Sequence, residues 1–239
     1  MSETTDPTCE RDRILEVYSQ RDAEMRDTYA PWRADELFMR TGRRRIAVRL
    51  LTEAGLFPKA GDPCLEVGFG SLGWLAELIS WGVRETDLHG IDLDPRRVRR
   101  GTDALPAADL RLGDAGNMPW PDEAFRLAIA STVFTSILDE SMRSRVAREI
   151  VRVLAPGGAL LWYDFAVNNP RNPNVRRVTR RDLNVLFPHL AGTISRVTLA
   201  PPLARWLAPR SWIAATVLEA LPPLRTHLLG VLVKKSSAK

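Results

Sequence analysis

Three glycines, two acids and a turn are spaced along this chain in a way that suits a nucleotide-like ligand. In PCLEVGFGSLGWL, residues 63–75, the segment Cys64-Leu65-Glu66-Val67 reads as the end of a buried strand and Leu72 to Ile79 as the start of a helix. Between them Gly68, Gly70 and Gly73 allow a sharp turn with no Cβ in the way. Such a turn brings backbone N–H groups and a helix N-terminus to the end of a sheet. The G-x-G-x-x-G spacing also belongs to dinucleotide-binding turns and arises in plain structural loops. Some two dozen residues after Gly68, Asp92 closes a second strand, where a carboxylate accepts from both ribose hydroxyls. Asp114-Ala115 closes a third, placed for an adenine amino group. One acid fits NAD; a second, followed by NMPWPD at 117–122, fits a different cofactor better.

Those residues need a sheet to hold them, and the chain supplies its pieces in order. Residues 1–10 read as disordered. From Arg11 to Ala54 apolar residues recur at helical spacing, broken at Pro31, so at least two helices precede the first strand. Strands are expected at 64–67, 88–92, 109–114, 125–131 and 159–165. Helices are expected at 96–104 and at 140–154, the latter stopped by Pro156-Gly157-Gly158. Thr179 opens a short helix with Asp182 at the capping-box position. Residues 193–199 and 226–233 alternate as strands should, and the apolar helical insert 201–224 lies between them. Strands alternating with helices give an α/β fold with a mostly parallel sheet and helices on both faces. Spacing does not fix the direction of the last strand.

Composition narrows the class. The chain has 239 residues, 45% hydrophobic and 26% charged, which suits a soluble α/β domain. It lacks an apolar run long enough to span a membrane, and its polar, acidic start is unlike a secretory signal. Two distant cysteines, Cys9 and Cys64, argue against a disulfide framework or a zinc site, so a cytoplasmic location and no metal are expected. The net charge of +5 raises nucleic acid or an anionic surface as partners. Only four of the 34 basic residues are lysine, and the arginines are scattered, which favours solvated helix faces.

Taken together, LEVGFGSLG, HGIDLDP, GDAGNMPWPDEAF and REIVRVLAPGGALLWYDF resemble the class I S-adenosylmethionine-dependent methyltransferases, of the type 11-like kind. The resemblance is close over about 43–165 and loose elsewhere. It implies a Rossmann-like seven-stranded fold, with residues 1–54 as an N-terminal helical cap, 55–165 as the cofactor-binding core and 166–239 on the substrate side. The cofactor it implies is S-adenosyl-L-methionine, with S-adenosyl-L-homocysteine as product. Gly68, Phe69 and Gly70 would pass under its methionine part with Glu66 below. Asp92 and Leu93 would take the ribose, Asp114 and Ala115 the adenine, and Ser131 the floor near the methyl group. The stretches STVFTSILDE and WYDFAVNNPRNPNVR are similar to a bacterial subgroup associated with glycan and natural-product chemistry.

The chain departs from that pattern in three places. The usual third glycine is replaced by Leu72, with Gly73 next, so the turn must be reshaped. The usual Phe-Asp before strand four is Phe125-Arg126, an arginine expected to touch a helix. The loop after strand four, Phe134-Thr135-Ser136-Ile137, has no histidine base. His89, His189 and His227 are expected to be structural or exposed. The candidate catalytic pair is therefore Asp164 and Tyr163 at the end of strand five, one of which should face the site because strand neighbours alternate. Tyr29 and Trp32, between arginines, are candidates for a lid over the substrate, and Asn168 and Asn169 for polar contacts to it. The expected partner is a small-molecule acceptor, methylated on a sugar, lipid-linked or natural-product hydroxyl. The insert 201–224 would form a hydrophobic wall or touch a membrane surface. A nucleic-acid substrate, prompted by the arginines of 171–181, lacks the Asn/Asp-Pro-Pro-aromatic motif after strand four. A cofactor-binding module without transfer is the third reading.

Overall fold

A run of four consecutive buried residues, β1 (Cys64–Val67), forms the centre of the molecule. The computed structural model describes residues 7–24, 30–170 and 172–235. β1 pairs in parallel with β2 (Leu88–Asp92) on one side and with β4 (Phe125–Ser131) on the other. β3 (Asp109–Leu112) extends the sheet beyond β2, and β5 (Leu154–Phe165) beyond β4, all parallel. β7 (Arg225–Lys234) then pairs antiparallel with both β5 and β6 (Leu190–Leu199), giving the order β3-β2-β1-β4-β5-β7-β6. The undetermined direction of the last strand is thus antiparallel. β6 runs the same way as β1 to β5.

Period-2 alternation builds two cores, one on each face. Ala128, Ala130, Leu160 and Trp162 point to the side covered by α5 (Glu140–Val153) and α6 (Arg180–Leu186). Leu127, Ile129, Leu161 and Leu229 point to the side covered by α2 (Ala34–Glu53) and α3 (Gly73–Ser80). Caps set where helices begin. Asp94 accepts from the Arg96 amide and Pro95 stands at the first turn of α4 (Pro95–Ala104). Asp139 does the same for α5 through the Met142 amide, and Thr179 and Asp182 form the expected capping box of α6.

One expectation needs correction. Residues 7–10 are not disordered: they open α1 (Pro7–Glu24), and Glu10 is buried. Its carboxylate explains the order, since Oε1 accepts from the amides of Leu138 and Asp139 while Arg13 clasps the same group. The insert 201–224 folds as α7 (Pro201–Leu207) and α8 (Trp212–Glu219), and only its inner side packs, against Phe38 and Leu199. Among the described residues no helix is long and apolar enough to cross a membrane.

Candidate active site

The carboxyl ends of β1, β2 and β4 open into a cleft of about 1110 Å³. This is the switch point of the sheet, where consecutive strands depart in opposite directions and leave a crevice. Gly68 and Gly70 turn the chain out of β1 with φ of +66° and +52°. A Cβ on Gly68 would approach Val133 Cγ2 to 3.2 Å in a backbone conformation that side chains rarely adopt. The Gly68 amide donates to the Ile91 carbonyl at 2.8 Å, tying the turn to β2.

Asp92 fixes the turn from the neighbouring strand. Its Oδ2 accepts from the Gly70 amide and its Oδ1 from the Asp94 amide, both at 2.9 Å. Each oxygen keeps a further lone pair for a ligand. Glu66, on the α3 face of β1, accepts from the Leu75 amide at 3.0 Å and so closes the start of that helix. Burial pushes its carboxyl up to about 8, against the Leu75 amide and the Arg43 charge, which favour the ionised form. Arg43 lines the same cleft, its guanidinium 4.7 Å above the Trp74 ring and 5.0 Å above that of Tyr163.

The missing third glycine has a structural answer. Leu72 itself adopts the left-handed conformation, φ 63°, and α3 starts one residue later than expected. Thr132, at the end of β4, is left-handed too (φ 58°), with its amide donating to the Tyr163 carbonyl at 2.7 Å. Non-glycine residues held this way cost about 1–3 kcal/mol each, and such strain concentrates at functional sites.

Of the residues expected to hold a cofactor, Glu66, Gly68, Phe69, Gly70, Asp92, Leu93, Ala115 and Ser131 line the cleft. Asp114 stands outside the lining, its Oδ1 accepting from the Gly116 amide at 2.7 Å. Sequence reasoning expected a helical cap over 1–54 but named none of the α1 residues that roof the cleft. Ile14, Leu15 and Tyr18 of α1 cover the cleft, and the Tyr18 hydroxyl meets Ser136 Oγ at 2.7 Å. Arg97 lies 4.5 Å over the Tyr18 ring. The signal was a polar-tipped tyrosine within the apolar stripe of a helix that also carries Glu10 and Arg13.

The expected catalytic pair does not reach the cleft. Tyr163 and Asp164 do point to opposite faces of β5, yet the layer above closes over both. Asp164 is fully buried on the α5 face, where Oδ1 accepts from the Thr135 amide at 3.1 Å and burial raises its carboxyl to about 8. It holds the loop after β4, together with buried Arg143, which donates to the Ile137 and Phe134 carbonyls at 2.7 and 2.5 Å. Tyr163 is sealed behind Arg43, bonded to Thr198 Oγ1 at 3.0 Å and stacked on His227 at 4.8 Å. Burial raises its phenol to about 12 and lowers the His227 imidazole to about 3.

The substrate-side candidates also lie elsewhere. Trp32 is 78% exposed and does not line the cleft, and Tyr29 falls outside the described residues. Asn168 accepts from the Arg177 amide and the Asn169 carbonyl from the Asn172 amide, so both shape the loop after β5. His89 packs edge-on against Trp120 and Phe125, and His189 is exposed. Arg126 pairs with Asp62 at 3.4 Å and reaches the Gly55 carbonyl beyond α2. Among the described residues no three His, Cys, Asp or Glu side chains gather as a metal set.

Comparison with known proteins agrees with this geometry. Residues 64–158 match the family described as Methyltransferase domain. Phthiotriol/phenolphthiotriol dimycocerosates methyltransferase 1 of Mycobacterium ulcerans is 29% identical over 138 residues, 52% of this chain and 48% of that protein. The 27-O-demethylrifamycin SV methyltransferase of Amycolatopsis mediterranei is 28% identical over 141 residues, 56% of this chain and 49% of that one. The chain thus spans about half the length, or less, of these curated relatives. Among solved structures, the 1,6-didemethyltoxoflavin-N1-methyltransferase of Burkholderia thailandensis, with S-adenosylhomocysteine bound, superposes with a TM-score of 0.67. It is 14% identical, and the match covers 99% of this chain and 93% of that one, a likeness of fold. Residues 64–158 are thus a methyltransferase domain, and the seven-stranded sheet, with its glycine turn and the acid at the end of β2, is the fold shared by the class I S-adenosylmethionine-dependent methyltransferases.

Proposed function

We propose that this protein is an S-adenosylmethionine-dependent methyltransferase acting on a small-molecule acceptor, with a hydroxyl of a sugar, a lipid-linked compound or a natural product as the acceptor group. The observation that carries this reading is the Asp92 carboxylate holding the Gly70 amide at the mouth of the cleft. The residues present fit the cofactor. The turn offers backbone close to the ligand where a Cβ would intrude at Gly68. Asp92 offers spare lone pairs to ribose hydroxyls, and Glu66 with Arg43 offers an acid and a cation to the two ends of an amino acid. When bound, S-adenosylmethionine supplies a methyl group on a sulfonium, open to in-line displacement.

The chain's own contribution is then positioning and exclusion of water. Tyr18, Ile14 and Leu15 roof the cleft; Ser131, Thr132 and Ser136 present hydroxyls along its β4 side. With Asp164 and Tyr163 sealed away, the acceptor's proton leaves to solvent, directly or relayed through one of those hydroxyls as it passes its own proton on. The names of the relatives, a phthiotriol/phenolphthiotriol dimycocerosates methyltransferase and a 27-O-demethylrifamycin SV methyltransferase, support a small-molecule acceptor. The burial of Asp164 and Tyr163 favours a second reading, a cofactor-binding module without transfer. The cytoplasmic placement inferred from composition remains part of the proposal.

The test is titration with S-adenosylhomocysteine by calorimetry, with NAD as control. Asp92→Ala removes two charge-assisted hydrogen bonds from the turn, so affinity falls by about 100-fold or more. Binding of NAD with no binding of the homocysteine ligand would refute the reading. Tight binding with no methyl transfer across acceptor classes would support the module instead.

A further inference from the structure

We propose that the α7–α8 hairpin between β6 and β7 is a docking surface for an anionic lipid membrane. Because β6 runs with β1 and β4, the hairpin leaves the sheet at the edge that also opens into the cleft. Its inner side is spent on Phe38 and Leu199. Its outer side is apolar where a water-facing helix carries polar groups. Ile213 is 79% exposed and Val217, four residues on, 62%; Trp206 on α7 is 59% exposed and Leu221 49%. Trp212 joins the two sides, edge-on to Phe38 at 5.2 Å and still 41% exposed. Tryptophan with aliphatic neighbours on a short amphipathic element is the chemistry of the headgroup boundary, where an apolar body and a polar N–H are both satisfied.

Charge selects the occupant. Arg210 lies 5.5 Å over the Trp206 ring and donates to the Trp206 carbonyl, so a cation is held against the exposed aromatic. Arg33 and Arg205 flank buried Asp35 at 3.1 and 3.8 Å, and both remain partly exposed. Glu36 is half-buried beside them, with Arg40 and Arg43 also in its field. Glu219, the acid of the hairpin, turns inward and accepts from the Leu199 amide. The outward charge around the apolar stripe is therefore positive. A second copy seated on this face would bring like charges together with no exposed acid of the hairpin between them, whereas lipid phosphates neutralise them.

The experiment is vesicle flotation of the full chain with phosphatidylcholine alone and with phosphatidylcholine containing a third phosphatidylglycerol. The protein floats with the anionic vesicles, less so as salt rises. The triple variant Trp206→Ser, Ile213→Ser, Val217→Ser lowers that partition by about tenfold or more, and Arg210→Glu lowers it by a similar factor. Melting temperature and S-adenosylhomocysteine affinity of the variants stay unchanged, which separates docking from folding and from the cleft. Absence of flotation, or equal flotation of wild type and triple variant, overturns the proposal. So does concentration-dependent dimerisation in sedimentation velocity that the triple variant abolishes, which assigns the face to a second copy.

Discussion

Glu66 is a buried acid whose ionisation the protein resists, and replacing it by glutamine gives a sharp test. Burial carries its carboxyl from 4.5 to about 8. A group whose folded value is raised contributes stability that is complete below the unfolded value and is lost as pH climbs through the folded one. At ~1.36 kcal/mol per pH unit this amounts to at most about 5 kcal/mol lost between pH 4.5 and 8. Glu66→Gln keeps the shape and an oxygen to accept from the Leu75 amide but does not titrate there. Chemical denaturation of the ligand-free protein from pH 5 to 8.5 should show stability falling in wild type and falling less in the variant. Asp164, raised in the same direction, keeps a residual slope in both. With a value of about 8, Glu66 is about nine-tenths protonated at pH 7. An ammonium settling against it would release that proton, so calorimetry in two buffers of different ionisation enthalpy should register up to about 0.9 proton released, absent in Glu66→Gln. Superimposable pH–stability curves for the two proteins would refute the reasoning.

Three further outcomes follow from single contacts. Gly90→Ala puts a Cβ 2.7 Å from Phe69 Cδ1 and 2.9 Å from Leu110 Cδ2; it should cost about 1–3 kcal/mol and weaken cofactor binding by pushing Phe69 into the turn, read by denaturation and calorimetry. Leu72→Gly should be less destabilising than Leu72→Ala, because both lose the side chain but only glycine relaxes φ 63°; about 1 kcal/mol should separate them in urea unfolding. Arg143→Met removes the donor that serves the Ile137 and Phe134 carbonyls and should cost about 3 kcal/mol, with the loop over the cleft gaining amide exchange.

Most of the sheet could be read from local pattern. β1, β2 and β4 showed as apolar runs bounded by glycine or acid, and the α6 capping box was visible as Thr179 with Asp182. Glu66, Gly70 and Asp92 could be placed because a turn after a strand and an acid at a strand end are written within a few residues of each other. Residues 7–10 could not, because their order comes from Glu10 reaching amides more than a hundred residues away. Asp164 looked like a base for the same reason: alternation along β5 gives a face, but not what covers that face.

The sequence by itself determined the order of elements, the glycine turn and the acids that line one edge of the sheet, since each depends on spacing within a strand or helix. Only the tertiary structure decided that β7 runs antiparallel, that Tyr18 roofs the cleft, that Leu72 bends where glycine was expected, and that Tyr163 and Asp164 lie sealed beneath it. Burial and hydrogen-bond partners are set by what distant segments place on top of a residue, and no local period records that.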